Sequence, residues 1–516
     1  MTARRAMLAL AAAGGALAGL GWLEIGLAPL LPVAFALAML GFERAASRRD
    51  AVLFGLVFAA TRYAVASHFL LALLRWSPLA IVFYLLAIAY ILPFGLLEGL
   101  GGWWFERRCG LPRALGLGLL FALGEWLRRL GDLSFPADLA AHGFGTAPSF
   151  LAWSALGGPQ LVTLVLMLAA WGLARAWTAR TRPRAAAGWL ALGLVAWVAP
   201  PLTGAALDAA RGTGDGPELR LGIVQPFATV PEKHDPGMAG PLWRRLERLT
   251  RQAAASGVDL VLWPESARPG WIAWDERTPF DDPDVRRIAR EAGVPILYGA
   301  QIARLRDRRP LALYNGAALV FPDDRPARWY GKQRLLPFVE GVPFAKLLGW
   351  DPARRRRTGK RSYLTMMGNF SPGPVPTIFE VGPARIGVLI CYEGFYPGLV
   401  RTYRRAGANM LAVLTNDAWW GHSAFPRWHA RMIAARAREF DLPVARAANN
   451  GVSSVTDRRG RMLARTRLDE VTVLAAPLAP ATSPPTLYAR RGDWPIALVL
   501  LVLTRLVLRL FLPRTA

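Results

Sequence analysis

Cysteine is almost missing from this chain, with two among 516 residues. That scarcity excludes a disulfide framework and any cysteine-based zinc module. Histidine is nearly as rare, at five. His422 and His429 invite a metal reading, but no Asp/Glu/His set at ligand spacing accompanies them, so neither a metal nor another cofactor is expected. Acidic residues are outnumbered, 36 against 62 lysines and arginines, which leaves a formal charge of +26. Such a balance suggests anionic partners, either nucleic acid or lipid headgroups. Nucleic acid is set aside, because many arginines sit at the edges of apolar runs, where membrane topology accounts for them.

Apolar sequence is abundant and unevenly placed. Seven apolar helices read at 6–23, 26–42, 51–73, 79–100, 112–130, 157–177 and 187–204, with an eighth at 494–512. Each approaches the ~20 residues that span ~30 Å of hydrocarbon, the first two being short. The organisation is therefore a transmembrane bundle over 1–205, an exported α/β domain over 218–480 and a C-terminal transmembrane helix over 494–512. A Gly-rich linker occupies 212–217. Arg4 and Arg5, Arg44 to Arg49, Arg107 to Arg113 and Arg175 to Arg184 all fall on one side of this topology. The alternate loops hold Glu24, Arg75, Asp132 and Asp138. Positive residues stay inside, so the N-terminus is cytoplasmic, the domain after 205 lies across the membrane, and Arg514 returns inside. A cleaved signal peptide over 1–22 is the alternative, disfavoured because the next apolar span follows at once.

This topology isolates Cys391. Cys109 falls in a cytoplasmic loop, so the two thiols do not pair, and Cys391 stands alone in an oxidising compartment. It ends the strand-like run Val388-Leu389-Ile390, where its bland reading is a small buried hydrophobe. Two other chemically useful residues have the same context: Glu265 in Trp263-Pro264-Glu265-Ser266, and Lys332 in Gly331-Lys332-Gln333. A cysteine nucleophile needs a base for its proton and a cation or N–H donors for the oxyanion. Glu265 could be the base, and Lys332 with the Tyr392 N–H could serve the oxyanion. Each residue alone reads as surface or core; three in strand-end context point to covalent acyl chemistry. Short apolar runs alternate with amphipathic helices from Leu219 to Ala475, which favours layered α/β packing. Residues 341–376 are long, Arg-, Gly- and Pro-rich and weakly patterned, as suits a mobile loop over a site. The arginine run at 354–357 within it reads as a solvated cluster or a phosphate attractor.

Trp-Pro-Glu-Ser (263–266), Tyr-Gly-Lys-Gln-Arg-Leu-Leu-Pro-Phe-Val-Glu-Gly-Val-Pro (330–343) and Ile-Cys-Tyr-Glu (390–393) resemble the signature blocks of the nitrilase superfamily. Thr-Asn-Asp-Ala-Trp-Trp-Gly (415–421), Arg-Ala-Ala-Asn-Asn-Gly (446–451) and the membrane helices narrow the resemblance to the bacterial apolipoprotein N-acyltransferases. That resemblance implies an α-β-β-α sandwich facing the periplasm above a multi-pass helical bundle in the inner membrane. It implies transfer of an acyl chain from a phospholipid, typically phosphatidylethanolamine, through a cysteine thioester. The acceptor is the α-amine of diacylglyceryl-cysteine on a lipoprotein. Cys391 matches the nucleophile, Glu265 the base and Lys332 the oxyanion lysine, while Glu340, Tyr392, Glu393, Asn315 and Trp419 match supporting positions. A monomer is expected. Two blocks depart from the family: Val224-Gln225-Pro226-Phe227-Ala228-Thr229-Val230 is followed by His234 where a tryptophan is usual, and Phe425-Pro426-Arg427-Trp428-His429 replaces Gly-Pro-Trp-Gln-His. The rivals are a membrane-tethered amidase, in which water resolves the thioester, and a catalytically inactive lipid-binding assembly protein. Trp271, Trp274, Trp350 and Phe344 are candidates for interfacial contact.

Overall fold

A computed structural model of the chain describes residues 3–23, 25–145, 147–212, 215–307, 309–345, 347–349 and 370–511. Glu24, Trp350, the arginines at 354–357, most of the 341–376 loop and Arg514 lie outside the described residues. The apolar N-terminal runs form α1 (Ala3–Leu23), α2 (Leu31–Phe42), α3 (Arg48–Ala66), α4 (Ala80–Cys109), α5 (Arg113–Leu127), α6 (Ser154–Thr178) and α7 (Pro183–Ala210). A last apolar helix covers Trp494–Leu508. Four of these (α1, α4, α6 and α7) are long and apolar enough to cross a membrane, and α3 passes the same test only together with the following 3-10 turn His68–Arg75, from which it is bent by 45°, as in a broken span or a re-entrant loop. The single helix expected over 51–73 is thus broken. Ser67 explains the break, because its hydroxyl bonds back to the Tyr63 carbonyl at 2.6 Å and caps the helix there. The expected helices at 26–42, 112–130 and 494–512 exist but are shorter than a full span.

Bundle packing relies on close backbone approach. α4 carries Gly95 and Gly99 one turn apart, and a Cβ on Gly55 of α3 would collide with the Gly95 carbonyl. Small residues at such a crossing let backbones meet, which is how helices associate where lipid offers no hydrophobic drive.

Beyond the bundle, two sheets pack face to face. The first runs β13 (Thr472–Leu478), β1 (Leu219–Gln225), β2 (Leu260–Leu262), β4 (Ile296–Arg306), β5 (Arg309–Val320) and β6 (Arg328–Gly331), with β3 (Trp271–Asp275) also on β4. The second runs β12 (Met462–Arg465), β11 (Ser454–Thr456), β10 (Val444–Ala448), β9 (Met410–Thr415), β8 (Ala384–Ile390) and β7 (Ile378–Val381). Alternation along each strand sends side chains to opposite layers. Leu260 and Leu262 join Val388, Ile390 and Leu414 in the core between the sheets. Val261 and Trp263 instead meet Leu246, Leu249, Val285 and Ile288 from the helices Ala239–Ala255 and Pro283–Ala292. Helices Pro397–Arg405 and Phe425–Phe440 cover the second sheet, completing an α-β-β-α sandwich. The 212–217 segment is tied at its far end, where Asp215 bridges to Ala481. β3 and β12 were not expected as strands; Trp274 is packed there against Phe280 and Trp329, while Trp271, 43% exposed, keeps a face outward.

Candidate active site

Glu265, Lys332 and Cys391 follow the C-terminal ends of β2, β6 and β8, so parallel β1–β2–β4 and β8–β9–β10 pairings bring them to one rim. Cys391 takes a left-handed backbone, φ 50°, directly after the extended Ile390. A non-glycine residue held there stores strain, a feature that clusters at functional sites. Its side chain remains partly accessible, although protein surrounds the sulfur. Burial pushes the thiol well above its usual value; the nearby Glu265 charge adds to that, and Lys332 opposes it.

Lys332, 2% exposed, donates to both oxygens of Glu340 at 2.9 and 2.8 Å and lies 3.8 Å from Glu265 Oε1. Burial works against its charge, but the two carboxylates prevail and hold the ammonium above its ordinary range. Asn315 on β5 bridges the two acids, its Nδ2 donating at 2.8 Å to Oε1 of Glu265 and of Glu340. Glu340 also accepts from the Leu336 N–H at 2.8 Å. Glu265 accepts from the Asn416 N–H at 2.9 Å through its other oxygen. Its pKa is raised, by burial above all, with Lys332 opposing and Glu340 adding. A carboxyl so shifted is a better proton acceptor than a solvated one.

Position of the Glu265 turn is fixed from two sides. A Cβ on Gly299 of β4 would sit 2.5 Å from the Pro264 carbonyl and 2.6 Å from Glu265 Cα, so only glycine admits this approach. On the other side Lys233 donates to the Glu265 and Ser266 carbonyls at 3.3 and 3.2 Å. Burial lowers the Lys233 ammonium to about 8 against the pull of Glu265.

Glu393 clamps the Cys391 turn to the Lys332 loop. Oε1 accepts from the Tyr330 hydroxyl at 2.7 Å and the Gln333 and Arg334 N–H groups at 2.7 and 3.1 Å, while Oε2 accepts from the Ile390 N–H at 2.8 Å. Tyr392 and Trp419, expected as supporting residues of the site, turn their contacts to the bundle. The Tyr392 hydroxyl donates to the Ser134 carbonyl and lies 2.7 Å from that of Tyr396, and its ring stacks on Phe135 at 5.9 Å. Trp419 accepts on its carbonyl from Trp76 Nε1 at 3.1 Å, with His234 edge-on at 6.1 Å. Of the departing blocks, Trp428 packs with Phe69 and Phe395, and His429 is buried against Asp417 at 3.1 Å. Phe338, Phe344, Leu347 and Leu348 stand exposed, and the Phe344 N–H reaches Asp132 at 2.8 Å. Among the described residues no group of three His, Cys, Asp or Glu is arranged to hold a metal.

Asn416, Lys233, Tyr330 and Thr415 are contacts that sequence reasoning missed. Asn416 and Thr415 lie inside a block already singled out, so proximity in sequence was the available signal; Lys233 had none.

Comparison with known proteins covers both halves. Residues 14–172 match the family described as apolipoprotein N-acyltransferase N-terminal domain, and residues 235–486 match carbon-nitrogen hydrolase. Among solved structures, a Nesterenkonia AN1 amidase from the nitrilase superfamily is 17% identical over 55% of this chain and 97% of its own, with a TM-score of 0.37. Saccharomyces cerevisiae Nit3 is 16% identical, with the same coverages and a TM-score of 0.38. The apolipoprotein N-acyltransferase of Geobacter metallireducens is 35% identical over 50% of this chain, which spans about half, 47%, of that relative. The Brucella melitensis protein of that name is 31% identical over 77% of this chain and 72% of its own. With 31% identity to the Azotobacter vinelandii apolipoprotein N-acyltransferase over 95% of this chain and 92% of that one, bundle and sandwich together, the chain belongs to the apolipoprotein N-acyltransferase family.

Proposed function

We propose that the protein moves an acyl chain from a membrane phospholipid to the α-amine of diacylglyceryl-cysteine on a lipoprotein, through a thioester on Cys391. The observation that carries this reading is the convergence of Glu265, Lys332 and Cys391 on a rim whose flanking residues, Tyr392 and Trp419, are bonded to Ser134 and Trp76 in the connections between the apolar helices. Glu265 takes the thiol proton as sulfur attacks the ester carbonyl. Lys332 and the Tyr392 N–H stabilise the tetrahedral oxyanion. Collapse breaks the ester C–O bond, and Glu265 returns the proton to the departing lysophospholipid oxygen. The acceptor amine then attacks the thioester, gives a proton to Glu265, and displaces the Cys391 thiolate, which recovers that proton. No water or cofactor enters, and the donor leaves before the acceptor binds.

The bundle distinguishes this reading from a tethered amidase, because an anchor needs one helix. The arginine asymmetry supports a sandwich on the periplasmic face of the inner membrane. Exposed Phe338, Phe344, Leu347 and Leu348 would meet the outer leaflet, where both lipid-borne substrates lie. The test incubates the purified protein with phospholipid and looks for an acyl adduct released by neutral hydroxylamine. Cys391→Ala must abolish it; an adduct that persists refutes the assignment. A diacylated lipopeptide is then added, and hydrolysis without N-acylation would favour the amidase.

A further inference from the structure

A thiol buried beside a carboxylate is hard to ionise, and Lys332 already spends most of its hydrogen bonding on Glu340. Another donor to the sulfur sits behind it. In the parallel pair β8–β9, Ile390 lies opposite Leu414, so Cys391 and Thr415 follow the last paired residues of adjacent strand ends. Thr415 is fully buried and is a hydrogen-bond partner of the Cys391 side chain. The same hydroxyl donates to Asp417 Oδ1 at 3.1 Å. A hydroxyl has one proton and rotates freely, so it serves one acceptor at a time.

Asp417 can release it. Arg446 donates to Oδ2 at 2.7 Å and His429 Nδ1 lies 3.1 Å from Oδ1, all three side chains being almost wholly buried. Burial opposes the Asp417 charge, but Arg446 and His429 overcome it and keep the carboxyl well below the usual range. The carboxylate therefore stays paired when Thr415 turns away.

We propose that Thr415 is a catalytic residue that stabilises the Cys391 thiolate: its hydroxyl donates to Asp417 while the sulfur is protonated or acylated, and rotates to donate to sulfur when the thiolate forms. No covalent bond changes at Thr415; the thiol proton goes to Glu265, and the hydroxyl hydrogen stays on its oxygen. The same rotation assists thiolate departure when the amine displaces the thioester. This inference rests on Cys391 being the nucleophile, though not on which lipid it serves.

The test is alkylation of Cys391 by iodoacetamide in the full-length detergent-solubilised protein, followed by site-resolved mass spectrometry from pH 6 to 10. It uses no lipid substrate, so it stands or falls separately from the transfer assay. Glu265, Lys332 and Asp417 face the sulfur in every variant and remain unchanged. Thr415→Val keeps the volume and Thr415→Ala frees the neighbours to repack; both remove the hydroxyl. The loss of a hydrogen bond to a charged group predicts alkylation slowed about tenfold or more at neutral pH, with the profile displaced to higher pH. Thr415→Ser should stay within about twofold of the parent. Wild-type profiles in the Val or Ala variant overturn the proposal, as does a Ser variant as slow as Val, which would assign the effect to the methyl group.

Discussion

Replacing Glu393 by glutamine isolates the clamp between the Cys391 turn and the Lys332 loop. The carboxylate accepts four hydrogen bonds on two oxygens, and none of it reaches solvent. Glutamine offers one oxygen. If that oxygen faces the Tyr330, Gln333 and Arg334 donors, the new NH2 confronts the Ile390 N–H across 2.8 Å, donor against donor. A buried unsatisfied N–H costs about 1–3 kcal/mol. The three remaining bonds lose their charge assistance, which is roughly half their strength. Relief from burying a charge offsets part of this, leaving a net loss of about 2–3 kcal/mol. The strain should appear where the clamp acts, at the left-handed Cys391 turn. We expect the Gln variant to melt a few degrees lower by tryptophan fluorescence and to form the hydroxylamine-labile adduct at least about tenfold more slowly. A Glu393→Gln protein with parental melting and parental acylation would show that the clamp sets neither stability nor geometry.

The charges and the bundle lead to further outcomes. Glu265 must be ionised to act as base and its pKa is raised above 4.5, so acylation should appear only as pH climbs through that raised value. The stability this group contributes changes oppositely, being full below 4.5 and lost as pH rises through the folded value. An alkaline limb near 8 should mark loss of the Lys233 ammonium that holds the base turn, and Lys233→Met should be slower and lack that limb; a limb that persists assigns it elsewhere. In the bundle, Gly55→Leu drives a side chain into the Gly95 carbonyl, and overpacking of this kind costs about 1–3 kcal/mol. Protease-resistant protein in membranes should fall; undiminished resistance would mean that α3 and α4 can separate without penalty.

The sandwich and the rim were legible because their signals are local. An apolar run that alternates between layers and stops at Glu265, Lys332 or Cys391 can be read from a few residues. β3 was not, since Trp271-Ile272-Ala273-Trp274-Asp275 puts aromatics where interfacial anchors would also be placed, and pairing with β4 decides between them. Neither was the break after Ala66, which no proline or glycine marks; one serine hydroxyl bonded to its own helix makes it. The contacts of Lys233 with Glu265 and Ser266 join segments more than thirty residues apart, and those of Tyr392 with Ser134 join bundle to sandwich. Motif spacing carries no information about such pairings. It put Tyr392 next to Cys391, but could not say which way its ring would point.

That direction bears on the fate of the thioester. Tyr392, Tyr396 and Ser134 share hydroxyl contacts directly behind the Cys391 turn, and Phe135 closes over the Tyr392 ring. On the proposed mechanism, this connection between bundle helices would wall one side of the activated acyl group from water. A fragment truncated to the two sheets would expose that side of the turn, and its acylated cysteine would leak to free fatty acid before an amine arrived. On the proposed mechanism the membrane portion would protect the intermediate as well as hold the protein at the bilayer.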